Sequence, residues 1–430
     1  MKRLFALLLT LVMTLSLVAC GGGNGKGRVY WLNFKPESDE ALQEIAKMYT
    51  EKTGVEVKVV TAASGTYNET LTAEMDKSEA PTLFVVGNSA AVDSWGEYCY
   101  DLTGTDIEKE LNTDAYKLYD AEGKLCSIGY CYECYGIIVN KALLAKAGYS
   151  VEEITNFESL KKIAEDIHAR SAELGFDAFS SAGLDGTSNW RFSGHLTSVA
   201  LFYEFRDNNV SGMPATVTGK YVENLKNLWD LYTTCSATTG AALSTATGDM
   251  SEAEFGQGKA VFFQNGSWEY NNLVLDASKG FNMKAEDLTM IPLYIGVDGE
   301  EKAGLCTGTE NYWAVNAKAS EADIKATLDF LKWVVTSESG TTMMAEQFGA
   351  SPFKSAKPVE NIFCKASDAL IANGNYNVDW SFIYTPGTND WRAAVIDAIS
   401  QYTVKGASWD NVKTAFVDTW AKEYKEYTAG

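Results

Sequence analysis

Residues 38–60, SDEALQEIAKMYTEKTGVEVKVV, decide the fold class. Leu42, Ile45 and Tyr49 recur at helical spacing, and Gly54 stops the run. Ser38 stands where a helix cap belongs, and Asp39 and Glu40 suit the positive end of the helix. Val55, Val57 and Val59 then alternate with polar residues, the period of a half-buried strand. Helix and strand in direct succession point to an α/β protein.

The same alternation extends outward. APTLFVVGN (80–88) and YGIIVN (135–140) have the composition of short apolar strands, and FESLKKIAEDIHARSAELG (157–175) is a helix through Phe157, Leu160, Ala164 and Ile167. GQGKAVFFQNG (256–266) is a strand running into a turn, and ENYWAVN (310–316) follows. Ser320 and Asp323 form a capping box for a helix that turns Ile324, Leu328, Leu331 and Val335 inward. Two more amphipathic helices follow, one through Trp391, Val395, Ile399 and Tyr402, the other through Val412, Phe416 and Trp420. Interspersed strands and helices predict mainly parallel sheets. A chain of 430 residues exceeds one compact unit, so two domains or a two-lobed body is expected. No Pro-rich or charge-run linker divides it, which suggests that the chain crosses between lobes more than once.

Composition excludes several chemistries. Lys and Arg number 36 against 57 Asp and Glu, a net charge of −21, and such a surface repels a nucleic-acid backbone. His168 and His195 are the only histidines, too few for a multi-histidine metal site, and His168 has the setting of a solvated helix surface. No nucleophile elbow, zinc-protease, dinucleotide or calcium-loop motif occurs, so neither a metal nor a cofactor is expected. Cys126, Cys131 and Cys134 match a ferredoxin-type spacing, but they run straight into the strand YGIIVN, where residues 131 and 134 would face opposite ways. They are expected to be small buried side chains. Seven cysteines beyond Cys20 is an odd number, which argues against a complete disulfide framework and leaves one or two bridges open.

Lys2 and Arg3 precede an apolar run from Leu4 to Val18, too short to span a bilayer and of signal-peptide length. Its ending, Leu17-Val18-Ala19-Cys20, resembles the bacterial lipobox, in which the cysteine takes a diacylglycerol and becomes the new N-terminus. Residues 1–19 are then a signal peptide, and residues 20–28 the anchor cysteine with a Gly-rich tether. Seven flexible residues reach only about 15 Å. The body is expected at the extracytoplasmic face of the cell membrane, held by lipid.

Aromatic residues sit beside polar ones at strand ends and turns: NFKPES (33–38), SGTYNE (64–69), YCYECYG (130–136), TSNWRFSGH (187–195), QNGSWEY (264–270), GTENYW (308–313) and NVDWSFIYTPGTNDW (377–391). Flat rings pack on the C–H faces of a sugar, and amides, carboxylates and cations bond its hydroxyl rim. In open α/β sheets such groups converge at strand ends. Any one of these tryptophans is as readily core or lobe packing.

The run from Tyr30 to Val60 and SGTYNETLTAEMDKSEAPTLFVVGN (64–88) resemble the start of the carbohydrate-specific extracellular solute-binding proteins of bacterial ABC importers. YGIIVNKALLAKAGY (135–149), FGQGKAVFFQNGSWEY (255–270), GTENYWAVNAKAS (308–320) and FLKWVVTSESG (330–340) resemble that family's later landmarks, in order. The resemblance implies an α/β, two-lobed periplasmic-binding-protein-like fold with a hinge and an interlobe ligand cleft. The first lobe would comprise 29–133 plus 295–337 and the second 134–294 plus 338–430, with a hinge near Glu133. It further implies a monomer without catalysis that delivers a mono- or oligosaccharide to a membrane permease. Placed by landmark, the cleft residues would be Lys35, Glu37, Tyr67, Asn88, Glu133, Trp190, Arg191, Asn265, Trp268, Glu310, Asn311 and Trp380. A cell-surface glycoside-active enzyme using a carboxylate pair, and a same-fold binder of a peptide or polyamine, stay open as alternatives.

Overall fold

The computed structural model describes residues 25–281 and 283–429; the apolar leader and the lipidation candidate Cys20 lie outside the described residues. Twelve strands among these residues form two sheets: β1 (Arg28–Asn33), β2 (Glu56–Thr61), β3 (Leu83–Val85), β4 (Lys117–Tyr119), β5 (Leu125–Gly129), β6 (Glu133–Asn140), β7 (Asp177–Phe179), β8 (Ala260–Gly266), β9 (Leu288–Ile291), β10 (Ala303–Gly308), β11 (Tyr312–Val315) and β12 (Tyr376–Asp379). The first sheet has the order β2-β1-β3-β11-β5-β4 and the second β12-β10-β6-β8-β7, with β9 also on β6. Each sheet has its own apolar core with helices packed on it, which makes the molecule two-lobed.

The expected mainly parallel pairing needs correction. β1–β2, β1–β3, β7–β8 and β10–β12 are parallel, but β3–β11, β5–β11, β4–β5, β6–β8, β6–β9 and β6–β10 are antiparallel. β4 and β5 are a hairpin within the first lobe; for the pairs of β6 and β11 the cause is the shuttling of the chain, since a strand arriving from the other lobe enters its sheet from the shared edge and runs against its neighbours. Three crossings connect the lobes. Tyr130–Tyr132 lead from β5 to β6, Thr309–Asn311 from β10 to β11, and residues 354–361 from the first core to the helix Ile362–Ala372 on the second.

The expected lobe boundaries shift accordingly. β10, placed by landmark in the first lobe, lies in the second sheet between β6 and β12, and Ile295 and Val297 join the second core. Residues 338–353, placed in the second lobe, belong to the first, because Met343, Met344, Phe348 and Phe353 pack in its core. Gly-Leu-Cys at 304–306 fits the crowded interior of the second sheet, and the switch waits for Thr309.

Local signals fold as the sequence predicts, with two exceptions. The helix Asp39–Thr53 buries Leu42, Ile45 and Tyr49, and Gly54 ends it at φ 72°. Ser38, however, makes no capping bond, because Pro36–Ser38 form a tight 3₁₀ turn and its hydroxyl is buried. The helix Glu321–Thr336 is capped by Ser320, which accepts from Asp323 N–H, but the expected box is half made because Asp323 Oδ1 takes Arg28 N–H instead, and the helix is centred on Ala326, Phe330, Leu331, Val334 and Val335, with Ile324 and Leu328 half-buried. The last residues of the expected tether are docked: Lys26 Nζ donates to Thr53 O at 2.9 Å and Arg28 N–H to Asp323 Oδ1 at 2.8 Å. The seven described cysteines are thiols, six of them buried. Cys131 packs in the first core and Cys134 in the second, as their opposed directions suggested.

Candidate functional site

The strand directions bring one edge of each sheet to the crossings. From the first sheet come the ends of β1 and β3, with Lys35 and Asn88 just beyond, and the start of β11. From the second come the start of β6 and the ends of β8, β10 and β12, which present Glu133, Gly266, Gly308 and Trp380. Most of the residues placed by landmark lie along this seam, in two clusters.

Lys35 is the centre of the first cluster. Its ammonium, almost wholly buried, contacts Glu133 Oε1 at 2.6 Å and Glu37 Oε1 at 2.8 Å. Asn311 Nδ2 donates to the second oxygen of Glu133 at 2.7 Å, and Tyr130 O–H donates to Asn311 Oδ1 at 3.3 Å. Burial works against the Lys35 charge, but the adjacent Glu133 and Glu37 carboxylates outweigh it and raise its pKa. The network joins the end of β1 to the first and second crossings.

The second cluster is aromatic. Tyr135 and His195 stack with centroids 4.0 Å apart and planes 7° from parallel. Trp190, Trp268 and Trp380 stand around His195 at 5.1, 5.4 and 6.0 Å, and Phe382 stacks on Trp380 at 5.5 Å. Two glycines make the room. A Cβ on Gly266 would stand 2.1 Å from the Trp268 ring and one on Gly308 2.5 Å from that of Trp380, so each indole lies directly on backbone. Arg392 covers Phe382 at 4.5 Å and reaches Glu310 Oε1 at 3.6 Å. Burial, with Arg392 and Arg191 adding to it, holds His195 well below the ordinary histidine pKa, so the ring is neutral. Burial raises Glu310, with Arg392 opposing. Among the described residues, His195 Nδ1, Trp380 Nε1 and Arg392 Nε are buried without a hydrogen-bond partner. Buried polar atoms left unpaired beside flat rings suit a ligand with hydroxyls and apolar faces.

Four expected residues serve other ends. Tyr67 is buried in the first lobe, where its hydroxyl accepts from Val85 N–H at 2.7 Å and its ring meets Phe34 edge-on. Asn88 caps the helix Ser89–Trp95 by accepting from Ala91 N–H at 2.8 Å. Arg191 braces the interior of the second lobe, donating to Ser188 Oγ, Gln264 O and Ser251 Oγ at 2.6, 3.1 and 3.1 Å. Asn265 donates to Glu269 Oε1 at 2.8 Å, and burial, then Glu252, pushes Glu269 up to about 8. Tyr135, His195, Phe382 and Arg392 were missing from the expected set. Tyr135 and His195 fall inside stretches already marked by aromatic–polar composition, whereas Arg392 lies just past such a stretch, on a helix that reads as packing.

The lobes also meet away from the hinge. Pro36–Ser38 pack on Asn271–Leu275, Asn271 Nδ2 donates to Gln347 O at 3.1 Å, Ser64 Oγ to Thr187 O at 3.5 Å, and Tyr427 O–H to Asp93. The lobes therefore touch on this side as well as at the crossings.

Solved structures share this architecture. The protein RafE in complex with raffinose superposes with a TM-score of 0.71 at 17% identity over 92% of this chain and 99% of its own. GacH of Streptomyces glaucescens, solved unliganded and with acarbose, gives 0.69 at 20% identity over 94% and 99%. A sugar transporter of Bacillus licheniformis in complex with stachyose gives 0.68 at 18% over 94% and 99%. No curated protein matches the chain. At these identities the likeness shows the fold, and a family match over residues 44–373 carries the assignment. The chain belongs to the bacterial extracellular solute-binding proteins.

Proposed function

We propose that the protein captures a neutral mono- or oligosaccharide between its lobes and delivers it, unchanged and as a monomer, to the permease of an ABC importer. The carrying observation is the cluster of Trp190, Trp268 and Trp380 around a neutral histidine, with unpaired buried donors and acceptors beside it. Structural neighbours described with raffinose, stachyose and chitin oligosaccharide support the ligand class. Lys35, Glu37, Glu133 and Asn311 act at the pivot in this reading, and the aromatic cluster with Glu310 and Arg392 meets the sugar. The test is calorimetric titration with raffinose, stachyose and chitin oligosaccharides, with product analysis of the same mixtures. One of them should bind reversibly without turnover. Gly266→Ala, which displaces Trp268, should weaken that binding about tenfold or more, equivalent to about 1.4 kcal/mol. Release of free sugar at enzyme-like rates, or unchanged affinity in the variant, would sink the proposal.

The lipid anchor at Cys20 belongs to the same reading, since a captured sugar is useful only near its permease. A diacylglycerol plus an N-acyl chain holds stably where one chain does not. In cells, Cys20→Ala should leave uncleaved precursor or release protein to the medium. A variant still processed before residue 20 and retained on the membrane would contradict it.

A further inference from the structure

Cys134 and Cys364 lie where the first and third crossings enter the second lobe. Cys134 is the second residue of β6, next to Glu133 of the pivot, and Cys364 is in the first turn of the helix Ile362–Ala372, which packs on β6. Cys134 Sγ donates to Phe363 O at 3.6 Å, which sets it beside Cys364, the next residue in the helix, and the two sulfurs act on one another. The Cys364 sulfur also faces the end of the first lobe, 3.3 Å from where a Cβ on Gly349 would stand. Cys134 is buried, whereas Cys364 is partly exposed. Neighbouring cysteines of which one residue is partly exposed and the other sheltered suit stepwise thiol–disulfide exchange. Cys99 and Cys126 also touch, but both are buried, so no sulfur of that pair offers the first step an approach.

We propose that Cys134 and Cys364 form a modification site, a dithiol at the hinge that closes to a disulfide when an external low-molecular-weight disulfide reaches Cys364. The Cys364 thiolate attacks the external disulfide, forms a mixed disulfide and expels one thiol. Cys134, kept protonated by Cys364 beside it and by burial, gives up its proton as its sulfur attacks Cys364 Sγ, breaks the mixed S–S bond and expels the second thiol. Two protein thiols lose two protons and two electrons, and the external disulfide becomes two thiols. The product ties the second-lobe ends of two of the three crossings to each other. Sugar contact requires neither sulfur, so the site stands apart from the aromatic cluster.

The experiment treats the purified mature protein with glutathione disulfide, alkylates the remaining thiols, and maps peptides after cleavage at glutamate, which separates Cys131 from Cys134 at Glu133. The expected result is loss of alkylation at Cys134 and Cys364 together, and one linked peptide pair that dithiothreitol releases. Cys134→Ser should stop at the glutathione adduct on Cys364. A wild-type protein that keeps the adduct, that takes up no oxidant, or that links Cys364 to Cys131 would overturn the proposal. The wild-type map decides this even if the variant fails to fold.

Discussion

Lysine is almost never fully buried unless paired, and Lys35 is buried with two carboxylates in contact. Each pair in such a triad has lost water that its Coulomb attraction must offset, so the triad is weak evidence for stability. Breaking it is another matter. Lys35→Met would leave Glu37 and Glu133 side by side with no cation between them, one of them held by Asn311 alone. The expected cost is about 3–5 kcal/mol of unfolding free energy, read from urea midpoints. Adding Glu133→Gln should recover part of it, because one of the two stranded charges is removed. If Lys35→Met unfolds at the wild-type midpoint but abolishes sugar binding, Lys35 is a ligand contact and its place at the pivot is wrong. Sequence patterning could mark Lys35 and Glu133 as polar residues at strand ends. It could not pair them, because their partnership spans 98 residues and depends on where β6 begins.

Legibility at the scale of elements follows the range of the forces involved. Helices such as Phe157–Ala169 were readable, since Phe157, Leu160, Ala164 and Ile167 carry their period within a few turns and all are buried. The strands β3, β6, β8 and β11 were readable as apolar runs bounded by turns. Their directions were not, because a strand's sense in its sheet depends on which lobe the chain has just left. That one fact accounts for both the mixed pairing and the displaced boundary at β10, whose neighbours β6 and β12 are 170 residues upstream and about 70 downstream. The aromatic cluster was half legible. Trp190, Trp268 and Trp380 stood out by composition, but Gly266 and Gly308, which give two of those rings their seats, look in sequence like ordinary turn residues. Arg191 and Tyr67 show the opposite error: polar atoms beside rings that are turned inward to brace a lobe. Composition cannot separate inward from cleft-facing when both occur at the ends of the same strands.

For the whole molecule the question is what holds the lobes together when no sugar is present. The seam at the crossings is covalent and braced by Lys35, so it persists in any arrangement. The opposite side rests on a handful of polar contacts, among them Tyr427 with Asp93 and Ser64 with Thr187. A hydrogen bond of this kind contributes about 0.5–1.5 kcal/mol net, and exposed ones fall at the low end. A sugar that binds only the closed form changes that balance, adding about 2.7 kcal/mol at a hundredfold excess over Kd. The sugar-free protein should therefore populate more open arrangements in solution, and saturating sugar should shrink its radius of gyration by small-angle scattering while raising its melting temperature. Tyr427→Phe removes a rim contact without touching the aromatic cluster or either core. Its effect should be confined to closure: affinity falls by roughly two- to tenfold, as one lost hydrogen bond allows, while the melting temperature without sugar stays at the wild-type value. A sugar-free scattering profile already identical to the bound one would show that the rim suffices to close the lobes, and that binding draws on no hinge motion at all.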